Sequence, residues 1–141
     1  MGSIYLGVCL FLEIAVLVWC AALLAELSKR FPAPHGRRHN AAILMIAIGL
    51  IVLAHTAQVW IWASAFMMVG AIGEWNTALY FSLSTYTTLG YGDVVLGPGL
   101  RIFAAFAAVT GMLAFGVSTA FLVSVMGRMF SLNGGAPGER S

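Results

Sequence analysis

The sequence has 141 residues, of which 61% are hydrophobic and 9% are charged, with a formal net charge of +2. Soluble domains carry about a quarter charged residues, so this composition excludes an ordinary soluble domain and indicates an integral membrane protein. The length leaves room for one membrane domain, and the net charge is too small to indicate a nucleic-acid partner.

The first apolar segment runs from Ile4 to Leu27 and is long enough for a tilted membrane-spanning helix. We therefore predict an N-terminal transmembrane helix within residues 1–27, interrupted by Glu13. A basic leader and a small-residue cleavage site, which mark a signal peptide, are not found here. Cys9 and Cys20 lie in the same segment, and their spacing favours two small buried or lipid-facing side chains over a redox or metal pair.

A polar connection, residues 28–40, follows the first segment. It contains four of the seven basic residues of the sequence, which are Lys29, Arg30, Arg37 and Arg38. The positive-inside rule therefore predicts a cytoplasmic loop here, and an N-terminus outside the plasma or inner membrane. A nucleic-acid or anionic-lipid site is the alternative interpretation, but topology alone accounts for so short a run.

Two more spans and one short helix are predicted after this loop. Residues 41–68 and 99–129 are apolar for long enough to cross a bilayer, whereas a helix over 75–87 rises only ~18 Å. We therefore interpret 75–87 as a re-entrant helix that enters the membrane partway. The outer end of the second span carries the aromatic residues expected at a membrane interface, Trp60 and Trp62. The Gly-rich, polar stretch 131–141 is predicted to be a disordered cytoplasmic tail.

Glycines at alternate positions mark the run that follows the short helix, Thr87-Thr88-Leu89-Gly90-Tyr91-Gly92-Asp93. Glycine permits backbone φ values that other residues avoid, so such a run can turn successive carbonyls to one side. Four copies around an axis would replace the hydration shell of a monovalent cation. Backbone that is neither helix nor sheet is tolerated at membrane depth only where protein buries it or it lines a watery cavity. The run therefore predicts an ion-binding loop.

With its flanking segments, this run resembles the pore domain of tetrameric potassium channels over roughly residues 41–129. The resemblance implies an all-α membrane protein with three transmembrane helices per chain, a re-entrant pore helix and a selectivity-filter loop, assembled as a homotetramer. It implies K⁺ as the permeant ion, and membrane lipid and further copies of the chain as partners. It implies no nucleic acid and no small-molecule substrate. The implied pore domain, residues 41–130, comprises an outer helix (41–68), pore helix (75–87), filter (88–92) and inner helix (99–129).

The resemblance also implies roles for the residues of the run. Four backbone carbonyls would bind K⁺, those of Thr88, Leu89, Gly90 and Tyr91, and the Thr88 hydroxyl would form the innermost ring. Gly92 would form the mouth of the filter. Leu89 stands where the family motif has valine, which leaves the backbone chemistry unchanged, so we expect K⁺ selectivity to be retained.

Residues around the filter would support it. These are Asp93, Thr87, Ser84, Tyr80 and Phe81. Many family members have a glutamate that pairs with the mouth aspartate, but Ser84 occupies that position here, so the pair is missing. Tyr80 and Phe81 stand where aromatic residues pack behind the filter. We expect the Tyr80 hydroxyl to reach Asp93 instead.

In the last span, Gly111 resembles the glycine hinge of the family, although glycine is common in packed membrane helices. If Gly111 is the hinge, helical spacing predicts a set of cavity-facing positions. They are Met112, Phe115 or Gly116, Thr119 and Val123. Val123 and Gly127 would then approach the inner mouth, where a hydrophobic constriction can close a pore by dewetting.

Glu13 and His55 are the ionisable residues deepest in the predicted spans. At 1.5 Å per residue, Glu13 lies ~15 Å from the outer end of its helix and His55 ~21 Å from the inner end of its own, so their depths nearly coincide. We predict a Glu13–His55 contact, with Gln58 as a third member. The contact would be either a proton sensor or a structural clasp that fixes the first helix to the pore.

These observations together predict a K⁺-selective channel that conducts passively, without a voltage sensor or a cytoplasmic ligand-binding domain. A weakly selective cation channel is one alternative, and a pore-like regulatory subunit of a larger channel is another. We do not expect an enzyme, because the sequence contains no recognisable nucleophile–base pair or metal-binding spacing.

Overall fold

The computed structural model describes residues 1–30 and 37–133, which form four α-helices. In chain order these are α1 (Gly2–Arg30), α2 (Arg37–Met68), α3 (Trp75–Tyr86) and α4 (Arg101–Asn133). Residues 31–36 of the predicted basic loop and residues 134–141 of the predicted tail lie outside the described residues.

The helices extend further into the polar segments than the sequence predicted. Helix α1 continues to Arg30 and α2 begins at Arg37, so both enter the predicted loop of residues 28–40. Helix α4 ends at Asn133, so the first three residues of the predicted disordered tail are helical. The difference has a simple cause. The length of an apolar run reflects the thickness of the membrane. The helix itself can continue beyond the membrane, because Arg and Lys also favour helices and their backbone hydrogen bonds extend it.

Three of the four helices are long and apolar enough to cross a membrane, over Gly2–Glu26, Ala41–Met68 and Arg101–Arg128. Helix α3 has 12 residues, which span only ~18 Å, and therefore cannot cross. The prediction of an all-α, multi-pass membrane protein with three spans and one short helix is thus confirmed for the part of the chain that the structure describes.

An aromatic cluster holds the four helices together at one end of the bundle. Phe66 of α2 packs on Phe81 of α3 and Phe103 of α4, with ring centroids 5.0 and 5.6 Å apart. Tyr5 of α1 joins the cluster through Phe103 at 5.8 Å and Trp62 at 5.7 Å. Packing of this kind adds to simple burial of the rings. The cluster therefore fixes the short helix α3 between two spans.

The two tryptophans near the outer end of the second span have different environments, and their position at the membrane interface stays a prediction. The side chain of Trp62 is fully buried, because α1 packs against α2 and covers that face. Trp60, two residues earlier, is 46% exposed and stacks on Trp75 with a centroid separation of 5.4 Å. The two tryptophans therefore differ in environment, since residues two apart face different sides of a helix.

Candidate functional site

The loop that follows α3 is tied back to that helix by its own amides. The N–H of Thr88 donates to the carbonyl of Thr85 at 3.0 Å. The N–H groups of Leu89 and Gly90 both donate to the carbonyl of Ser84, at 2.9 and 3.1 Å. In a trans peptide the C=O points opposite to the N–H. The carbonyl that precedes each of these amides therefore points away from α3.

Backbone conformation alternates along the same loop. Thr88, Gly90 and Gly92 have positive φ values of 58°, 52° and 80°, whereas Leu89 and Tyr91 between them do not. Left-handed residues placed between residues of negative φ can turn successive N–H groups to one side of the chain, and their carbonyls to the other. Glycine accepts the left-handed conformation without steric cost, which explains its presence at 90 and 92.

Thr88 also has a positive φ although it is not a glycine, and a β-branched residue rarely adopts that conformation. Such a conformation costs of the order of 1–3 kcal/mol and persists only where the surroundings impose it. Here the hydrogen bond from the Thr88 N–H to the Thr85 carbonyl holds this conformation. The hydroxyl of the preceding Thr87 donates a hydrogen bond to the carbonyl of Leu83 at 2.7 Å. Strain of this kind is typical of functional sites.

The whole loop lies on the surface of the single chain. Residues 87–93 are exposed, and the large side chains of Leu89 and Tyr91 are 56% and 68% exposed. On α3, Leu83 is 52% exposed and faces out as well, whereas Phe81 and Ser84 are buried. The loop and the apolar side chains around it are therefore presented outward rather than enclosed by the chain's own helices.

Ser82 is a supporting residue that the sequence did not indicate. Its buried hydroxyl donates to the carbonyl of Val59 on α2 at 2.7 Å, which anchors α3 to the neighbouring span. Ser84 and Thr85 follow within three residues on the same helix, so nothing in the sequence singled out Ser82.

Tyr80 and Asp93 form the hydrogen bond that the sequence suggested. The Tyr80 hydroxyl donates to Asp93 Oδ2 at 2.7 Å. This bond is the main reason that the pKa of Asp93 lies below its usual range, and it raises the pKa of Tyr80. A hydrogen bond to the charged form stabilises that form. The carboxylate therefore links the end of the loop to α3.

We expect replacement of Tyr80 by Phe to weaken the loop near neutral pH and to remove the part of its acid sensitivity that comes from Asp93. The bond to carboxylate contributes fully above the ordinary aspartate pKa of about 3.9, and is lost as pH falls through the lower pKa of folded Asp93. Without the hydroxyl, the pKa of folded Asp93 returns toward its ordinary value, so protonation of Asp93 no longer costs the loop this hydrogen bond. Thermal unfolding of the purified protein should therefore show a lower unfolding temperature for Tyr80→Phe at pH 6, and a smaller decrease from pH 6 to 3 than the wild type shows.

The matched control for this measurement is Thr77→Ala on the same helix. The Thr77 hydroxyl is 3.4 Å from Glu74 rather than close to Asp93, so its removal should leave the acid profile in place. An acid profile of Tyr80→Phe that coincides with that of the wild type would show that the bond has no role in the loop's stability.

Gly111 of α4 lies against the backbone of Tyr86, the last residue of α3. A Cβ atom at position 111 would collide with the Tyr86 carbonyl oxygen. The sequence left open whether Gly111 is a hinge or a packing residue, and this contact gives it a packing role. Phe115, one turn later, packs against the Tyr86 ring at 5.8 Å.

The other predicted cavity positions do not contact the core of the chain in the same way. Met112, Val123 and Thr119 are exposed on α4, and the first two are 63% and 64% exposed. Phe115, by contrast, also stacks on His55 with centroids 4.5 Å apart, so one side of its ring faces the interior of the bundle.

A buried polar cluster lies between the four helices. Gln58 Nε2 donates to Glu13 Oε2 at 2.7 Å, and Ser118 Oγ donates to Glu13 Oε1 at 2.5 Å. His55 Nε2 is 3.2 Å from Ser118 Oγ, and His55 Nδ1 is 2.9 Å from the Tyr86 hydroxyl. The Tyr86 hydroxyl donates to Gln58 Oε1 at 3.1 Å. The five side chains form a closed ring of hydrogen bonds.

The predicted direct contact between Glu13 and His55 requires correction. The two residues join one cluster, but Ser118 lies between them. Gln58 is a member as predicted, whereas Ser118 and Tyr86 were not anticipated. A polar residue inside an apolar span is a recognisable sign of function or pairing, so Ser118 could have been suspected. That the Ser118 side chain faces Glu13 could not be predicted from the sequence.

Comparison with known proteins extends these observations. Residues 41–128, more than half of the chain, match the family Ion_trans_2, which is described as an ion channel family. The match covers most of α2, all of α3 and the loop, and most of α4, and leaves α1 outside. No curated protein and no solved structure matched the chain significantly. The apolar spans, the short helix and the family match lead to one conclusion: the chain belongs to the ion channel family and carries its pore domain, and it is not an enzyme.

Proposed function

We propose that four copies of this chain form a K⁺-selective channel with residues 88–92 as its filter. The observation that supports this best is the alternating backbone of the loop, which has positive φ at Thr88, Gly90 and Gly92. A ladder of carbonyl oxygens on one side of a chain is the chemistry that replaces water around K⁺. The binding carbonyls are those of Thr88, Leu89, Gly90 and Tyr91.

Assembly follows from what a single chain lacks. One loop presents carbonyls from one direction only, so enclosing a cation requires several loops around an axis. The exposed side chains of Leu83, Leu89 and Tyr91 would be covered by neighbouring copies. Met112, Thr119 and Val123 of α4 would then line the cavity below the filter. Around this core, α1 packs on α2 and α4 and would face membrane lipid.

The orientation that we propose places the N-terminus outside and the connection around residues 28–40 in the cytoplasm, in the plasma or inner membrane. The filter mouth and Asp93 would then face outward. Gly97 is exposed just beyond the mouth. A cysteine introduced at Gly97 should react with a membrane-impermeant maleimide added to intact cells, while Cys9 and Cys20 are buried.

Purified protein reconstituted into liposomes tests the proposed function. We expect K⁺ efflux that Ba²⁺ blocks and that exceeds Na⁺ efflux, and a tetramer in native mass spectrometry. Equal K⁺ and Na⁺ flux would instead indicate a weakly selective cation channel. Absence of flux from a folded tetramer would indicate a regulatory subunit of a larger channel.

A further inference from the structure

The buried ring of hydrogen bonds constrains where its protons lie. The hydrogen of the Tyr86 hydroxyl points to Gln58 Oε1, because an amide oxygen can only accept. The contact between the Tyr86 oxygen and His55 Nδ1 therefore requires a hydrogen on Nδ1. With the Gln58 amide oriented as it is in the structure, His55 is consequently an Nδ1–H donor in every protonation state that keeps the ring closed.

Ser118 has one hydrogen and faces both Glu13 Oε1 and His55 Nε2. If Ser118 donates to Glu13, then His55 Nε2 must carry a hydrogen, and the pair is a carboxylate with an imidazolium. If Ser118 donates to His55, then Glu13 must be protonated and donate to Ser118. Both arrangements hold the same number of protons and have no net charge. They differ only in which group holds one proton.

We propose that Glu13 is a positioning residue for the filter, which holds the end of α3 in place through one proton shared with His55 across Ser118. The proposal rests on the function proposed above. Of the five residues in the ring, only Glu13 lies outside the residues that match the ion channel family, 41–128. Helix α1 is thereby a part of the conduction apparatus of this chain.

Loss of the shared proton breaks the ring at a defined point. The cluster then has a net charge of −1 within the bundle, which is costly for a group removed from water. The single Ser118 hydrogen can satisfy Glu13 or His55 but not both. If it stays with Glu13, the lone pairs of Ser118 Oγ and His55 Nε2 face each other at 3.2 Å. Repulsion then displaces the imidazole and releases its bond to Tyr86.

Tyr86 transmits this displacement to the filter. It is the last residue of α3, its carbonyl lies against Gly111, and Thr88 is two residues further along the chain. Gain of a proton has a milder effect on the ring. Glu13 and His55 can then both donate to Ser118, and the Ser118 hydroxyl can donate to the Ala114 carbonyl, which is 2.8 Å away. We therefore expect conduction to fall on the alkaline side.

The titratable groups that face this ring on each helix are few among the described residues. Glu13 and Cys9 lie on α1, His55 on α2 and Tyr86 on α3, while α4 contributes only the Ser118 hydroxyl. Among the described residues, the Cys9 thiol is thus the further titratable group whose effect on the pH profile must be distinguished from that of Glu13 and His55.

Glu13→Gln provides the decisive variant, because it can keep the ring closed without the proton. The glutamine oxygen accepts from Gln58, its amide donates to Ser118, and Ser118 donates to a neutral His55. We expect wild-type K⁺ flux in liposomes to fall about fivefold or more between pH 6 and 9, a typical size for coupling between sites. The profile of Glu13→Gln, normalised to its own value at pH 7, should be flat over the same range.

Cys9→Ala is the control, and should keep the wild-type pH profile. An alkaline fall that persists in Glu13→Gln, or one that disappears in Cys9→Ala, overturns the proposal. A flat wild-type profile in a conducting protein overturns it as well.

A second measurement depends neither on conduction nor on the folding of Glu13→Gln. Nitrogen NMR of ¹⁵N-histidine-labelled wild-type protein should show His55 with a hydrogen on Nδ1, identified by its loss in His55→Gln. A neutral His55 protonated only on Nε2 would contradict the proposal, even if the channel conducts. The expected Nδ1–H signal in a protein without K⁺ flux would sink the proposed function and leave the proton-sharing ring intact.

Discussion

Replacement of Gly90 by Ala should reduce K⁺ flux about tenfold or more, the effect of roughly 1.4 kcal/mol on an equilibrium. Gly90 has a φ of +52°, and a side chain in the left-handed region costs about 1–2 kcal/mol. Within the described part of one chain, no atom beyond Gly90 and its two neighbours lies within 4 Å of the position that a Cβ would occupy, so the penalty within the chain arises from the backbone. Relief of this strain would rotate the peptide and turn a carbonyl away from the axis of the proposed pore. In a tetramer the change occurs four times around each pore.

Gly73→Ala is the matched control. Gly73 precedes α3, is exposed and also has open space around its Cβ position, but its φ is not positive. Liposome flux of K⁺ compared with Na⁺ should therefore be close to wild type in this variant. Equal flux from Gly90→Ala and wild-type protein would refute the assignment of this loop as the filter.

Replacement of Gly111 by Ala should destabilise the protein by about 1–3 kcal/mol, the usual cost of overpacking. The added methyl would meet the Tyr86 carbonyl, which is backbone and cannot move aside as a flexible side chain does. Helix α4 must then separate from the end of α3. Thermal unfolding of the purified protein in detergent, followed by circular dichroism, measures the loss directly.

Gly116→Ala on the same helix is the control, and its expected effect has the opposite sign. Outside its own helix backbone, no atom of the residues that the structure describes lies within 4 Å of its Cβ position, and alanine favours a helix over glycine by roughly 0.5–1 kcal/mol. If Gly111 were a hinge instead, Gly111→Ala would alter the opening of the pore and leave the stability of the protein unchanged. An unfolding temperature of Gly111→Ala equal to that of the wild type would therefore exclude the packing role.

Several features of this protein were accessible without coordinates. The three spans followed from the lengths of the apolar runs, and the short helix followed from a segment too short to cross. The hydrogen bond from Tyr80 to Asp93 was anticipated because both flank the loop at a spacing known from the resembling family. The ends of the helices were not anticipated, since polarity marks the membrane boundary and not the last backbone hydrogen bond.

The sequence by itself determined the local chemistry of the protein. Alternating glycines allow the loop conformation, apolar length sets the spans, and both are properties of neighbouring residues. Only the tertiary structure decided which side chains meet: Ser118 between Glu13 and His55, Trp62 in the core, and Gly111 against Tyr86. The physical reason is that these spans are apolar on all sides. No polar stripe then marks the face that each helix turns toward its neighbours, and rotation about the helix axis is settled by packing.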